Sequence, residues 1–200
     1  MLRWSLLAIA YASMAALALL VSEFWFDRPA WLHPEPWFAM PRAVSHVYSA
    51  ALGVAVGGLV VVATRRLVDR VAWAQELARA LKPFARDLTG AGIVGVAVLS
   101  SVGEELLFRG LLEPWLGLWV QAALFGLLHQ MPGPSRWAWV AWAAVVGLLF
   151  GLMFVATGSI VGPVIAHALI NGLNLNYLQS HDPEPPRRGL GGLLGQRSRA

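Results

Sequence analysis

Six side chains in this 200-residue sequence combine reactive groups with helical intervals. Glu104, Glu105 and Arg109 end one uncharged stretch, His129 closes a second with Phe125 one turn before it, and His167 and Asn171 project from a third. An interval of four residues is about one helical turn, so Glu105 and Arg109 share a face and can neutralise each other, as His167 and Asn171 share theirs. Glu104 is turned about 100° from Glu105 and is free to face something else. One carboxylate, two imidazoles and a carboxamide are parts for activating water. His129 and His167 suit a borderline cation such as Zn²⁺, with Glu104 or Asn171 completing the set and an open position holding water. Without metal, Glu104 and His129 activate water directly, while His167 and Asn171 donate to an oxyanion. Both schemes describe amide hydrolysis, and the residues leave both open. The sequence has no Cys, which excludes disulfides, a cysteine nucleophile and thiolate ligands.

The elements that must position these groups are apolar. Hydrophobic residues make up 58% and charged ones 13%, far from a soluble domain with about 25% charged residues, and too apolar for disorder. Six uncharged or nearly uncharged runs can be traced: Trp4 to Ser22, Ala43 to Thr64, Leu88 to Gly103, Leu116 to His129, Trp137 to Thr157 and Ser159 to Leu178. These predict an all-α, polytopic helical membrane bundle of about six transmembrane helices, with residues 1–178 a single integral-membrane domain. Between the second and third runs, Leu67, Val71, Ala74, Ala78, Leu81 and Ala85 alternate with charges, predicting one cytoplasmic amphipathic helix that Pro83 ends or kinks. The first run has no cleavage pattern after it and is expected to be an anchor. Residues 179–200, rich in Pro, Arg and Gly, are expected to be a disordered cytoplasmic tail.

Orientation follows the basic residues. Of the 15, 14 are Arg, and a cytoplasmic N-terminus leaves only Arg28 and Arg42 outside, with Arg109 inside the membrane region. Both termini are then cytoplasmic. The basic charge marks loops and gives no nucleic-acid partner. The pairs Gly53 and Gly57, Gly147 and Gly151, and Gly158 and Gly162 let helices approach closely; homodimerisation through such a face is permitted but not indicated. His46, without a nameable partner, is expected to be structural, and His33 and His181 carry no signal.

Depth ties the reactive groups together. If the third and fourth runs turn back near Glu113 to Leu118, Glu104 and His129 both lie about 18 Å from the outer end, and His167 and Asn171 lie about 13 and 20 Å from the same face. Ionisable groups at such depth are costly in lipid and are functional candidates by default.

The ordered set Glu104-Glu105-x-x-x-Arg109, Phe125-x-x-x-His129 and His167-x-x-x-Asn171 resembles the three motifs of the CPBP family of intramembrane proteases. That family includes the type II CAAX prenyl endopeptidases and bacterial proteins grouped as abortive-infection or bacteriocin-processing proteins. The resemblance spans residues 85–178. It implies a polar cavity open to the cytoplasmic side of a bacterial inner membrane, hydrolysis of a peptide bond in a membrane-associated protein or peptide, and a water-activating role for Glu104. It further implies a partner or ligand role for His129, a ligand or oxyanion role for His167 and Asn171, and structural support from Glu105 and Arg109. The competing reading is a noncatalytic membrane protein, an immunity or scaffold subunit or an ion or proton carrier, built on the same cluster.

Overall fold

Apolar runs without charge fold as helices because hydrocarbon offers the backbone no other hydrogen-bond partner. The computed structural model describes residues 2–182, and among these seven helices follow one another. They are α1 Leu2–Phe24, α2 Arg42–Arg70, α3 Ala72–Arg86, α4 Gly90–Leu116, α5 Leu118–Leu128, α6 Arg136–Thr157 and α7 Val161–Ser180. This is an all-helical membrane bundle. Four helices, α1, α2, α4 and α6, are long and apolar enough to cross a bilayer. With 11 residues α5 rises about 16 Å and penetrates part-way, and α7 is long enough at 20 residues but carries His167, Asn171 and Asn174. Large apolar side chains such as Leu6, Ile9, Leu17, Leu20, Val47 and Leu59 point outward, as a lipid-facing surface requires.

The stretch expected to be one amphipathic helix is divided. Residues 65–70 extend α2, Val71 is in extended conformation, and α3 starts at Ala72. Pro83 lies inside α3, which runs on to Arg86. Ala74, Ala78 and Ala85 are buried against Val68 and Leu178, so tertiary packing holds a helix that local preference would end. The small residues of this face give close packing on protein, where a membrane-surface helix would present larger ones. The expected tail also begins later than the sequence suggested: α7 includes Gln179 and Ser180, and the Gln179 amide donates to the carbonyls of Ala85 and Leu88 at 2.9 and 2.7 Å. The remainder of that tail lies outside the described residues.

Two devices fix α4 and α7. Residues Leu106–Leu112 of α4 are π-helical, with the Glu113 amide reaching the carbonyl of Phe108. A π-turn leaves carbonyls turned out of the ladder. Arg28, in the loop after α1, donates to the carbonyls of Gly110 and Leu111 at 2.7 and 3.3 Å. The rest of the same residue 25–41 loop caps α6: His33, Trp37 and Phe38 amides donate to the carbonyls of Gly158, Val155 and Ala156. Helix α7 lies tight on α2 because a Cβ at Gly53 would sit 2.4 Å from the Gly162 carbonyl oxygen, and one at Gly57 would sit 2.9 Å from the Ala166 Cα. These glycines therefore face the bundle interior. His46 has its partner here, its Nδ1 lying 2.7 Å from Ser159 Oγ, and ties α2 to the α6–α7 corner.

Candidate active site

Gly117, with a φ of 85°, reverses the chain between α4 and α5, which brings the end of α5 back to the level of Glu104. His129 follows α5 and closes it with its own ring, Nδ1 lying 2.7 Å from the Phe125 carbonyl oxygen. A carbonyl accepts, so Nδ1 carries the proton and, in the neutral ring, Nε2 presents a lone pair. That Nε2 lies 3.3 Å from Glu104 Oε2. From α7, His167 enters the same place: its Nε2 is 3.9 Å from Glu104 Oε2, and its Nδ1 is 2.7 Å from Glu105 Oε1. The matched depths expected of Glu104, His129 and His167 are realised as contacts.

Glu105 is fully buried and serves two partners, since Arg109 Nη1 donates to the same Oε1 at 3.0 Å. Arg109, also fully buried, donates through Nη2 to the Gly147 carbonyl at 2.8 Å and lies 4.5 Å from the Phe125 ring centroid and 5.1 Å from that of Phe150. A buried guanidinium needs such enclosure by a counter-charge, a carbonyl and ring faces. The Glu105–Arg109 pair is thus the expected neutralising pair and, beyond expectation, the group that orients His167. A carboxylate behind a histidine selects its tautomer.

Asn171 donates to Ser100 Oγ at 3.0 Å. It lines one cavity of about 330 Å³ together with Ser100, Glu104 and His129, while the rest of the wall is mostly apolar and includes Trp73, Trp139 and Trp142. Glu104 Oε2 is buried and without a hydrogen-bond partner among the described residues. With both imidazoles neutral, three acceptors face one another there, an arrangement that calls for a proton donor between them. Water is the smallest one.

The donor types would suit a divalent cation, but their placement does not. Glu104 makes edges of 3.3 and 3.9 Å to the two Nε2 atoms, yet among the described residues no three His, Cys, Asp or Glu side chains converge as a ligand set.

Residues 88–173 match the family model described as type II CAAX prenyl endopeptidase Rce1-like. The match covers 86 of the chain's 200 residues. It holds all six residues above, from Glu104 to Asn171. The chain is also similar to the uncharacterized protein YpbD of Bacillus subtilis (strain 168), at 33% identity over 81 residues, which is 40% of this chain and 42% of that protein. The chain therefore spans less than half of that relative's length in the match. No solved structure matches.

Several residues at this site carried no sequence signal. Tyr11 of α1 lines the cavity from outside the matched segment. Ser100 stands four residues before Glu104, a spacing that signals a partner only once Asn171 is known to be opposite. Glu113 and Gln121 are buried near Gly151, whose Cβ would meet the Gln121 amide and the Glu113 carboxylate at 2.5 and 2.6 Å. Glu113 was legible only as part of a turn.

Proposed function

We propose that this protein is an intramembrane endopeptidase that hydrolyses a peptide bond in a membrane-associated protein or peptide, with Glu104 as the base. The observation that carries the reading is the buried, unpartnered Glu104 Oε2 facing two imidazole Nε2 atoms at one end of a cavity. The family match of residues 88–173 supports peptidase chemistry in general.

In this reading a water donates one hydrogen to Glu104 and is held beside His129 Nε2. Glu104 takes the proton as the water oxygen bonds to the scissile carbonyl carbon. General base catalysis of this kind contributes about 10² to 10⁴ in rate. The carbonyl oxygen becomes an oxyanion and needs donors. Asn171 has two amide hydrogens, and with one held by Ser100 the other is available to it. His167, with Glu105 behind Nδ1, accommodates a positive charge and donates from Nε2 when protonated. Collapse of the intermediate breaks the C–N bond, and the proton on Glu104 passes to the leaving nitrogen. Because the donors do not fit a divalent cation as placed, no step runs through a metal.

The arginine distribution supports insertion in a bacterial cytoplasmic membrane with both termini inside. The mostly apolar cavity wall supports a substrate segment that is itself apolar. The test compares membrane peptides of cells carrying the wild type with those carrying Glu104→Gln. Fragments confined to the wild type are expected, and an identical fragment set in the Glu104→Gln cells would overturn the reading.

A further inference from the structure

Helix α1 is mostly a lipid-facing anchor, with Leu6, Ile9, Leu17 and Leu20 exposed. Its inward stripe is Tyr11, Ala18 and Ser22, spaced by seven and four residues, of which Ala18 and Ser22 are fully buried. A tyrosine well inside a span is away from the interfacial belt where this residue ordinarily sits. Its position is fixed by contact with α4: a Cβ at Gly103 would lie 2.7 Å from the Tyr11 carbonyl oxygen and 3.1 Å from its Cβ. The residue after Gly103 is Glu104. Tyr11 lines the same cavity as Glu104, His129 and Asn171, and its hydroxyl is within range of an interaction with the Glu104 carboxylate. A phenol enclosed in protein seeks an acceptor for its proton, and a carboxylate is a strong one.

We propose that Tyr11 is a positioning residue of the site, its hydroxyl donating to the Glu104 carboxylate across the α1–α4 contact and holding it ionised and aimed at the two imidazoles. This inference rests on the endopeptidase reading and adds to it a residue outside the segment 88–173. Ionised carboxylate in a water-poor cavity needs donors. From α5 and α7 those facing it are His129 and His167, and from its own helix the charge of Arg109 acts on it; Arg65 of α2 lines the cavity too. Neutral imidazoles with Nδ1 protonated offer Glu104 no hydrogen, which leaves the phenol as its neutral donor.

The test is the pH dependence of kcat/KM for the full chain in liposomes, using a cleaved peptide found by the fragment comparison above. Tyr11→Phe keeps the ring that packs on Gly103 and removes only the hydroxyl. The acid limb of the profile is expected to move up by about one pH unit, a loss of about tenfold at low pH that closes at high pH. Replacement of Tyr11 by 3-fluorotyrosine strengthens the donor at nearly constant shape and is expected to move the same limb down. Coincidence of both variants with the wild-type profile, or a loss equal at every pH, would overturn the role of Tyr11. Retained activity in Glu104→Gln would instead sink the endopeptidase reading itself, so the two failures are distinguishable.

Discussion

His167 Nδ1 lies 2.7 Å from Glu105 Oε1, the oxygen that also receives Arg109 at 3.0 Å, and neither acid nor guanidinium has any exposure. One carboxylate therefore compensates a buried cation and orients an imidazole from another helix. The adjacent carboxylate, Glu104, is left with its Oε2 unpartnered. Two neighbouring glutamates in one sequence motif do different work because consecutive helical residues point about 100° apart.

Glu105→Gln is accordingly expected to cost stability as well as activity. It leaves Arg109 buried without its counter-charge, a loss of about 3 to 5 kcal/mol for a broken buried pair. Thermal unfolding in detergent measures it, and an unchanged midpoint would contradict the assigned role.

Glu104→Gln, His129→Ala and His167→Ala are expected to separate from it in the opposite sense. Each should fold, and Glu104→Gln should lower kcat by about 10² to 10⁴ if Glu104 is the base. Single-turnover cleavage of a substrate peptide by the purified variants provides the measurement. Activity within threefold of wild type in any of them would remove that residue from the mechanism.

Chelation distinguishes direct water activation from a metal centre. Proteolysis is expected to persist after exhaustive treatment with a strong chelator, with less than one equivalent of metal per chain by elemental analysis. Loss of activity on chelation, with recovery on adding Zn²⁺, would show that His129 and His167 close around a cation in the working enzyme.

Gly53→Val is expected to disturb the placement of His167 without touching the site. Its Cβ would meet the Gly162 carbonyl oxygen at 2.4 Å, backbone that cannot step aside, so α7 must move away from α2 at a cost of about 1 to 3 kcal/mol or more. Reduced thermal stability together with reduced cleavage is the expected pair of readings; wild-type behaviour in both would mean that the α2–α7 contact is loose.

The end of α7 should respond to acid. A hydrogen bond from Lys82, and then its charge, hold the Asp182 carboxyl below the ordinary carboxylate range, while Lys82 Nζ also donates to the His181 carbonyl at 2.6 Å. A depressed folded-state pKa gives stability that is present above the unfolded value and lost as pH falls through the folded one. The protection of residues 179–182, taken as the exchange rate relative to the intrinsic amide rate at each pH, is therefore expected to be greater at pH 6 than at about pH 3, and Lys82→Ala should abolish the difference. Equal protection at both pH values in the wild type would count against the Lys82–Asp182 pair as the group that holds the end of α7.

The sequence by itself determined the membrane bundle, the helical intervals and the identity of the reactive groups, whereas of the six expected spans only four are long and apolar enough to cross among the described residues. Hydrophobic run length and four-residue spacing are local, so they can be read along the chain. The depth of Glu104 and His129 also followed from counting, because a rigid rise per residue converts position into height. Only the tertiary structure decided which nitrogen of each imidazole is occupied, that Asn171 pairs with Ser100, that Tyr11 reaches the cavity and that α4 contains a π-helical stretch clamped by Arg28. Each depends on the rotation of one helix about its axis relative to another. That rotation is set by close contacts such as Gly53 on Gly162 and Gly103 on Tyr11, between residues far apart in the chain. The division at Val71 and the continuation of α3 through Pro83 were hidden for the same reason, since packing of Ala74, Ala78 and Ala85 on α7 outweighed the local preference.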